Sequence, residues 1–155
     1  MQHCKPVATP LVVNEKLSKS DEQKKVDPRY YRSLVGSLLY ITATRPDLMY
    51  AASLLSRFMN EPSEIHLGTA KRILRYLRGT SDYGVFFQPC SSPKLVVYSD
   101  SDWGGSVDDM KSTSGYTFTL DSGAFSWISK KQKVVTQSTA EAEYITVSMV
   151  VNQAI

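Results

Sequence analysis

The run Val96-Val97-Tyr98-Ser99-Asp100-Ser101-Asp102-Trp103-Gly104-Gly105 decides how this chain is read. Its first half is β-branched and aromatic, the composition of a strand packed on one side. Its second half delivers two carboxylates and then a glycine pair, so the backbone turns away where Asp100 and Asp102 leave the apolar run. Asp100 follows Val96 and Tyr98 on one pleat face, and its carboxylate is predicted to point where apolar side chains pack.

Downstream, Gly115–Leu120 alternates, with Tyr116, Phe118 and Leu120 on one face against Thr117 and Thr119. Asp121-Ser122-Gly123 is a turn, and Ala124–Ser129 returns as a strand with Phe125 and Trp127 on one face. These runs predict a three-stranded antiparallel meander. After Lys130-Lys131-Gln132-Lys133, the run Ser138-Thr-Ala-Glu141 matches a capping box, in which Glu141 reaches back to the Ser138 amide. The helix it opens carries Ala142, Ile145, Val147, Met149, Val150 and Val151 around nearly its whole circumference and is predicted to be buried on most sides. Glu143 lies on an apolar strip beside Val147, Val150 and Ala154, so it needs either a cation or a solvent-facing edge.

Upstream, the texture is helical. Asp27-Pro28 is an N-cap with proline in the first turn, followed by Tyr31, Leu34, Val35, Leu38 and Ile41 at helical spacing. Thr44-Arg45-Pro46-Asp47 predicts a second start, with Asp47 complementing the helix dipole, ahead of Leu48, Ala51, Ala52 and Leu55. Ser63 caps a third helix, on which Ala70, Ile73, Leu74 and Leu77 form one stripe and Lys71, Arg75 and Arg78 another, with Arg72 further round. Such a stripe is either a solvated face or a clamp on successive phosphates. His66 is predicted to pack or to cap. Tyr83–Gln88 predicts a short strand ended by Pro89. Residues 1–26, with charge and no sustained apolar face, predict a flexible tether. The domains are therefore a tether over 1–26, a helical segment over 27–90 and a mixed domain over 94–155, an α+β class.

Composition narrows the function. The net charge of +3 hides a basic first part: residues 1–90 carry 13 Lys and Arg against 8 Asp and Glu, and residues 91–155 carry 5 against 7. That division suits a polyanion on the first part and cations on the second. Cys4, Cys90, His3 and His66 give neither a zinc spacing nor a disulfide framework, which points to a reducing compartment. No apolar run is long enough for a membrane span and no secretory signal peptide is visible, so an intracellular protein without a membrane partner is expected. Asp100-x-Asp102 with Gly105 has the opening of a calcium loop, but its twelfth position is Lys111 rather than Glu. Asp108-Asp109 lacks the flanking strand pattern of a polymerase palm. Asp100 and Glu143, brought together from a strand end and a helix's first turns, would form an oxygen-only site for magnesium or manganese.

Several runs together carry a resemblance: Tyr31-Arg-Ser-Leu-Val-Gly-Ser-Leu-Leu-Tyr40, Thr44-Arg-Pro-Asp-Leu48, Ala70-Lys-Arg-Ile-Leu-Arg-Tyr-Leu-Arg-Gly-Thr80, Tyr98-Ser-Asp-Ser-Asp-Trp103, Lys111-Ser-Thr-Ser-Gly-Tyr116, Ser126-Trp-Ile-Ser-Lys-Lys-Gln132 and Ser138-Thr-Ala-Glu-Ala-Glu-Tyr144. With Cys4-Lys-Pro-Val-Ala-Thr-Pro10 they resemble the Pol polyprotein of copia-type LTR retrotransposons, over the segment after the reverse transcriptase palm and the start of ribonuclease H. The resemblance implies a thumb or connection segment over 27–90, then an incomplete ribonuclease H-like fold. It implies hydrolysis of the RNA strand of RNA–DNA hybrids with Mg2+ or Mn2+. Asp100 and Glu143 are the implied metal-binding catalytic carboxylates, and Asp102 and Glu141 structural or secondary candidates. Lys71, Arg72, Arg75 and Arg78 would track the hybrid backbone. The implied partners are the hybrid and the remainder of a Pol polyprotein, and the implied location is a cytoplasmic virus-like particle. The family's third metal-binding aspartate has no counterpart before Ile155, so the expectation is a truncated enzyme; the alternatives are a noncatalytic nucleic-acid-binding segment and an inert remnant.

Overall fold

Asp27 starts the helical part of the chain. Its carboxylate accepts the Arg29 N–H at 2.9 Å, Pro28 fills a position whose N–H has no partner within a helix, and α1 runs over Pro28–Ile41 in this computed structural model, which describes residues 4–89 and 91–155. Tyr31, Val35 and Leu38 are its buried stripe. The Tyr31 hydroxyl donates to the Leu55 carbonyl at 3.0 Å, and burial pushes its ionisation far up.

The Thr44–Asp47 restart is tighter than an α-helix. Pro46–Leu48 forms a 3-10 turn, and α2 follows over Met49–Ser56, burying Ala51, Ala52 and Leu55. Ser63 caps α3, Glu64–Gly79. The His66 Nδ1 accepts the Ser63 N–H at 3.0 Å, and its ring stacks on Phe58 with centroids 4.0 Å apart. His66 therefore caps and packs at once. These three helices enclose one core of Tyr31, Leu38, Leu48, Leu55, Phe58 and Ile73.

Residues 4–26 correct the expectation of a tether. They form no helix, and their one bridge pairs Lys25 with Ser63, yet Leu17 is buried and Val7 and Leu11 pack against the helical core. Val26 donates its N–H to the Pro62 carbonyl at 2.9 Å, and Lys24 accepts the Glu64 N–H at 3.0 Å. The Ser63 hydroxyl donates to Asp21, and that bond holds the Asp21 carboxyl below its ordinary range. The segment is held by three separated apolar anchors and by backbone groups, and neither leaves a periodic signature.

The chain divides into two compact units at Gly84 and Val85. In the second, β1 (Leu95–Ser101), β2 (Thr113–Leu120) and β3 (Gly123–Lys131) form an antiparallel sheet in the order β1-β2-β3. Tyr116 and Phe118 are buried and meet edge to face at 5.2 Å. The class is α+β, helices first and sheet after. Residues 83–88, predicted as a strand, pair with no strand among the described residues. The Gln88 N–H donates to the Ser122 hydroxyl at 3.1 Å, and the Phe87 ring fills the space that Gly123 leaves by lacking a Cβ.

The last helix, α4 (Thr139–Ala154), packs on β1 and β2 but is not buried on most sides. Only Ala142 and Thr146 are buried, while Tyr144 is 77% exposed and Val147 and Val151 about half exposed. Its contact stripe is narrow and partly polar: Thr146 Oγ1 lies 2.6 Å from Ser114 Oγ, and the Tyr116 hydroxyl donates to Gln153 at 3.3 Å. Among the described residues, no helix is long and apolar enough to cross a membrane.

Asp109 pins the loop between β1 and β2. It accepts from the Ser106 hydroxyl at 2.6 Å and from Lys131 Nζ at 2.8 Å, with Lys111 Nζ at 3.8 Å. Burial alone would raise its pKa, but the hydrogen bonds from Lys131 and Ser106, with the charges of Lys131 and Lys111, outweigh it and hold it down at about 2. The folded carboxyl binds its proton less readily than an unfolded one. Its stabilisation is therefore full above about pH 4 and lost as pH falls toward 2. Asp109→Asn is expected to flatten that acid limb and to lower stability at neutral pH. Fluorescence of Trp103 and Trp127, the only two tryptophans and both in this unit, reads the change.

Candidate functional site

Residues directly opposite each other in an antiparallel ladder share a face. Ser101 lies opposite Ser114, Ser99 opposite Tyr116 and Val97 opposite Phe118. The hydrogen bonds of Ser114 and Tyr116 to α4 therefore identify this face of β1 as the one the helix covers. Asp100, opposite Gly115, belongs to the other face with Val96 and Tyr98. That corrects the prediction of a carboxylate among packed apolar side chains: Asp100 is exposed, and Tyr98 beside it is 64% exposed. Glu143 is exposed as well, so its apolar strip meets solvent rather than a cation.

The two residues nevertheless border one cleft. Asp100 and Glu143 line one cleft of about 170 Å3 with Ser99, Ser101, Thr146 and Val147. Three consecutive β1 residues, which alternate faces, all line it, so the cleft follows the edge of β1 that no described strand pairs. Ser101 is the residue that sequence reasoning passed over. Its Oγ is buried and has no hydrogen-bond partner in the structure. The signal was present in the alternation, since Ser99 and Ser101 fall two apart on the face opposite to Asp100.

The neighbouring acids have structural tasks. Asp102 accepts the Thr113 N–H, and its own N–H donates to the Thr113 carbonyl at 3.2 Å, extending the ladder one step past β1. Gly104 has φ +61°, the left-handed region, and a Cβ on Gly105 would collide with the Asp102 carboxylate. The glycine pair is thus the mould for Asp102. Glu141 accepts the Gln137 N–H at 2.7 Å, one residue before the predicted Ser138 amide, while Ser138 Oγ accepts the Glu141 N–H at 3.2 Å. Reaching one residue further back closes the same reciprocal cap.

The two carboxylates lining the cleft are oxygen donors of the kind that a hard divalent cation takes. Among the described residues no three His, Cys, Asp or Glu side chains gather into one metal-binding group. Asp100 and Glu143 are thus the two residues of the cleft that could hold a divalent cation.

In the helical unit the cationic side chains of α3 are partly engaged. Arg75 Nε donates to the Lys5 carbonyl at 2.7 Å, Arg78 Nη1 to the Cys4 carbonyl at 2.8 Å and Arg72 Nη2 to the Thr9 hydroxyl at 2.9 Å. Lys71 is exposed. These acceptors are neutral, so the stripe keeps its charge. Among the described residues no carboxylate lies within ion-pair distance of Lys71, Arg72 or Arg75.

The chain is similar to the retrovirus-related Pol polyprotein from transposon RE2 of Arabidopsis thaliana, 47% identical over 148 residues, which are 96% of this chain and 10% of that protein. It is 49% identical over 144 residues to the corresponding polyprotein from transposon RE1 of the same plant, covering 93% of this chain and 10% of that protein. It is also 45% identical over 126 residues to the secreted RxLR effector protein 161 of Plasmopara viticola, covering 81% of this chain and 89% of that protein. The chain thus spans about a tenth of the length of the two transposon polyproteins. No family model and no solved structure matches it.

Proposed function

The chain belongs to the family of copia-type retrotransposon Pol polyproteins, and from that premise we propose that its sheet-bearing unit is the opening part of a ribonuclease H-like domain acting on RNA–DNA hybrids. The observation that carries the proposal is the cleft that Asp100 and Glu143 both line, while Asp102 and Glu141 are spent on the fold. Asp100 and Glu143 would hold Mg2+ or Mn2+. When bound, such a cation supplies charge stabilisation at the oxygens of a phosphodiester undergoing hydrolysis. A complete site needs a third carboxylate, which no described residue brings to the cleft. The 155 residues by themselves are expected to bind the cation without turning over.

The test joins this chain to the segment that follows the matched region in the RE1 polyprotein and offers the product a hybrid labelled on its RNA strand. RNA cleavage that disappears in Asp100→Asn supports the proposal. A fusion that folds and does not cleave, or cleaves equally with Asn at 100, overturns it.

In the helical unit we infer that Lys71, Arg72, Arg75 and Arg78 contact the hybrid's phosphates. Replacing all four with glutamine is expected to weaken binding of a hybrid duplex and to make the slope of log K against log salt shallower by about 3.6, at ~0.9 per phosphate contact. An unchanged slope removes this assignment. A second reading, a noncatalytic polyanion-binding segment, is favoured by the two-carboxylate cleft; hybrid binding that survives in the fusion without any cleavage selects it.

A further inference from the structure

We propose that the N-terminal segment Cys4–Thr9 is an intramolecular strap on the basic face of α3, and that a nucleic-acid backbone gains this face by displacing it. The proposal rests on the assignment of the α3 cations to phosphate contacts and adds what controls their access.

The seat is specific. Successive turns of α3 present Arg72, Arg75 and Arg78, which reach Thr9, Lys5 and Cys4 in antiparallel order at 2.9, 2.7 and 2.8 Å. Two of the three bonds end on backbone carbonyls, so the strap is recognised as an extended chain rather than by its side chains. At the end of the helix Gly79 makes room for it. A Cβ there would lie 2.9 Å from the Pro6 Cβ and 3.8 Å from the Val7 carbonyl oxygen, closer to Pro6 than packed carbons tolerate. Nothing in the backbone of Gly79 calls for glycine, since its φ is not in the left-handed region.

The seat is also exchangeable. The guanidinium groups meet neutral oxygens, and charge-assisted bonds to phosphate are stronger than bonds to a carbonyl. Arg72 Nε is buried with no hydrogen-bond partner, so the closed arrangement leaves one charged donor unused that a phosphate oxygen could accept. The strap carries Lys5, which is exposed, but no acid between residues 4 and 9, so it covers the stripe without neutralising it. Attraction of a polyanion to the site persists while direct contact is blocked.

Gly79→Ala separates the strap from the cations, because the added methyl strikes Pro6 and touches no arginine. Its hybrid affinity at low salt is expected to exceed that of the unmodified chain. If the face is open about a tenth of the time, the gain is about tenfold, since apparent affinity scales with the competent fraction. In the unmodified chain, saturating hybrid is expected to raise the backbone mobility of Val7, Ala8 and Thr9, read by 15N relaxation. Affinity in Gly79→Ala equal to or below the unmodified chain, with mobility at Val7–Thr9 lowered or unchanged by hybrid, overturns the strap. The four-glutamine variant keeps the two ideas apart. If it binds hybrid as well as the unmodified chain, the phosphate assignment has failed; if it binds poorly while Gly79→Ala and the relaxation pattern show no release, only the strap has failed.

Discussion

Arg45→Met is expected to cost about 3 kcal/mol, the low end of the range for breaking a buried charge pair, and to unfold the helical unit ahead of the sheet. Arg45 is 7% exposed. Its Nε and Nη2 donate to the two oxygens of Asp47 at 2.9 and 2.7 Å, and its Nη1 and Nη2 to the Thr80 carbonyl and hydroxyl at 2.8 and 2.7 Å. The Tyr76 hydroxyl donates to Asp47 at 2.9 Å. One guanidinium thus ties the 3-10 turn before α2 to the end of α3. The Asp47 side chain is 33% exposed, which places the cost at the low end. Even so, about 3 kcal/mol is a large share of the ~5–15 kcal/mol available to a whole domain. Lysine at 45 is expected to recover only part of the loss, because a single ammonium cannot reproduce the planar fork. Both tryptophans lie in the sheet unit. Urea unfolding of Arg45→Met should therefore show an early loss of helical circular dichroism with the tryptophan transition in place. Coincident shifts of both signals would mean that the units unfold together.

That network was only half legible in the sequence. Arg45-Pro46-Asp47 reads locally as a helix start with an acid favouring the dipole, and the local reading is sufficient, so nothing directs attention to Thr80. The parts that were legible have short-range causes: Asp27-Pro28 and Ser63 fix helix starts through bonds within three residues, and the alternation about Tyr116 and Phe118 fixes a strand through its own pleat. The misread parts depend on partners far along the chain. The apolar circumference of α4 predicts burial, but which face is covered depends on Ser114 and Tyr116 of β2, and these select a narrow stripe containing Thr146. The segment 4–9 is held largely through the carbonyls of Cys4 and Lys5, groups that every residue type possesses. Tyr83–Gln88 has a strand's composition but no neighbouring ladder. The candidate cleft lies between these cases: residue type and spacing marked Asp100 and Glu143, while their exposure and the burial of the Ser101 hydroxyl depended on which pleat face α4 chose.

Asp100 and Asp102 carry the same group two residues apart, and their removal is expected to fail in opposite ways. Asp102→Ala leaves the Thr113 N–H without its carboxylate partner and empties the space beside Gly105. A hydrogen bond to a charged group is worth ~1.5–3 kcal/mol, so the sheet unit should unfold at lower urea while its folded form keeps its affinity for Mn2+. Asp100→Asn touches an exposed side chain, and its stability should stay within about 0.5 kcal/mol of the unmodified chain. It removes one of the two anionic donors of the cleft, and Mn2+ affinity, measured by calorimetry, is expected to fall about tenfold or more, since changes around a metal's ligands alone reach that size. Glu143→Gln should follow Asp100→Asn. Glu141→Gln should leave Mn2+ binding intact and cost a fraction of a helix cap, about 0.5 kcal/mol. The crossed pattern matters because carboxylates on a surface attract cations diffusely. Diffuse binding would weaken equally for any acid removed from this region, with Asp102→Ala and Glu141→Gln losing as much as Asp100→Asn and Glu143→Gln. A loss confined to Asp100 and Glu143 requires that these two act together, and only a shared cleft makes them do so.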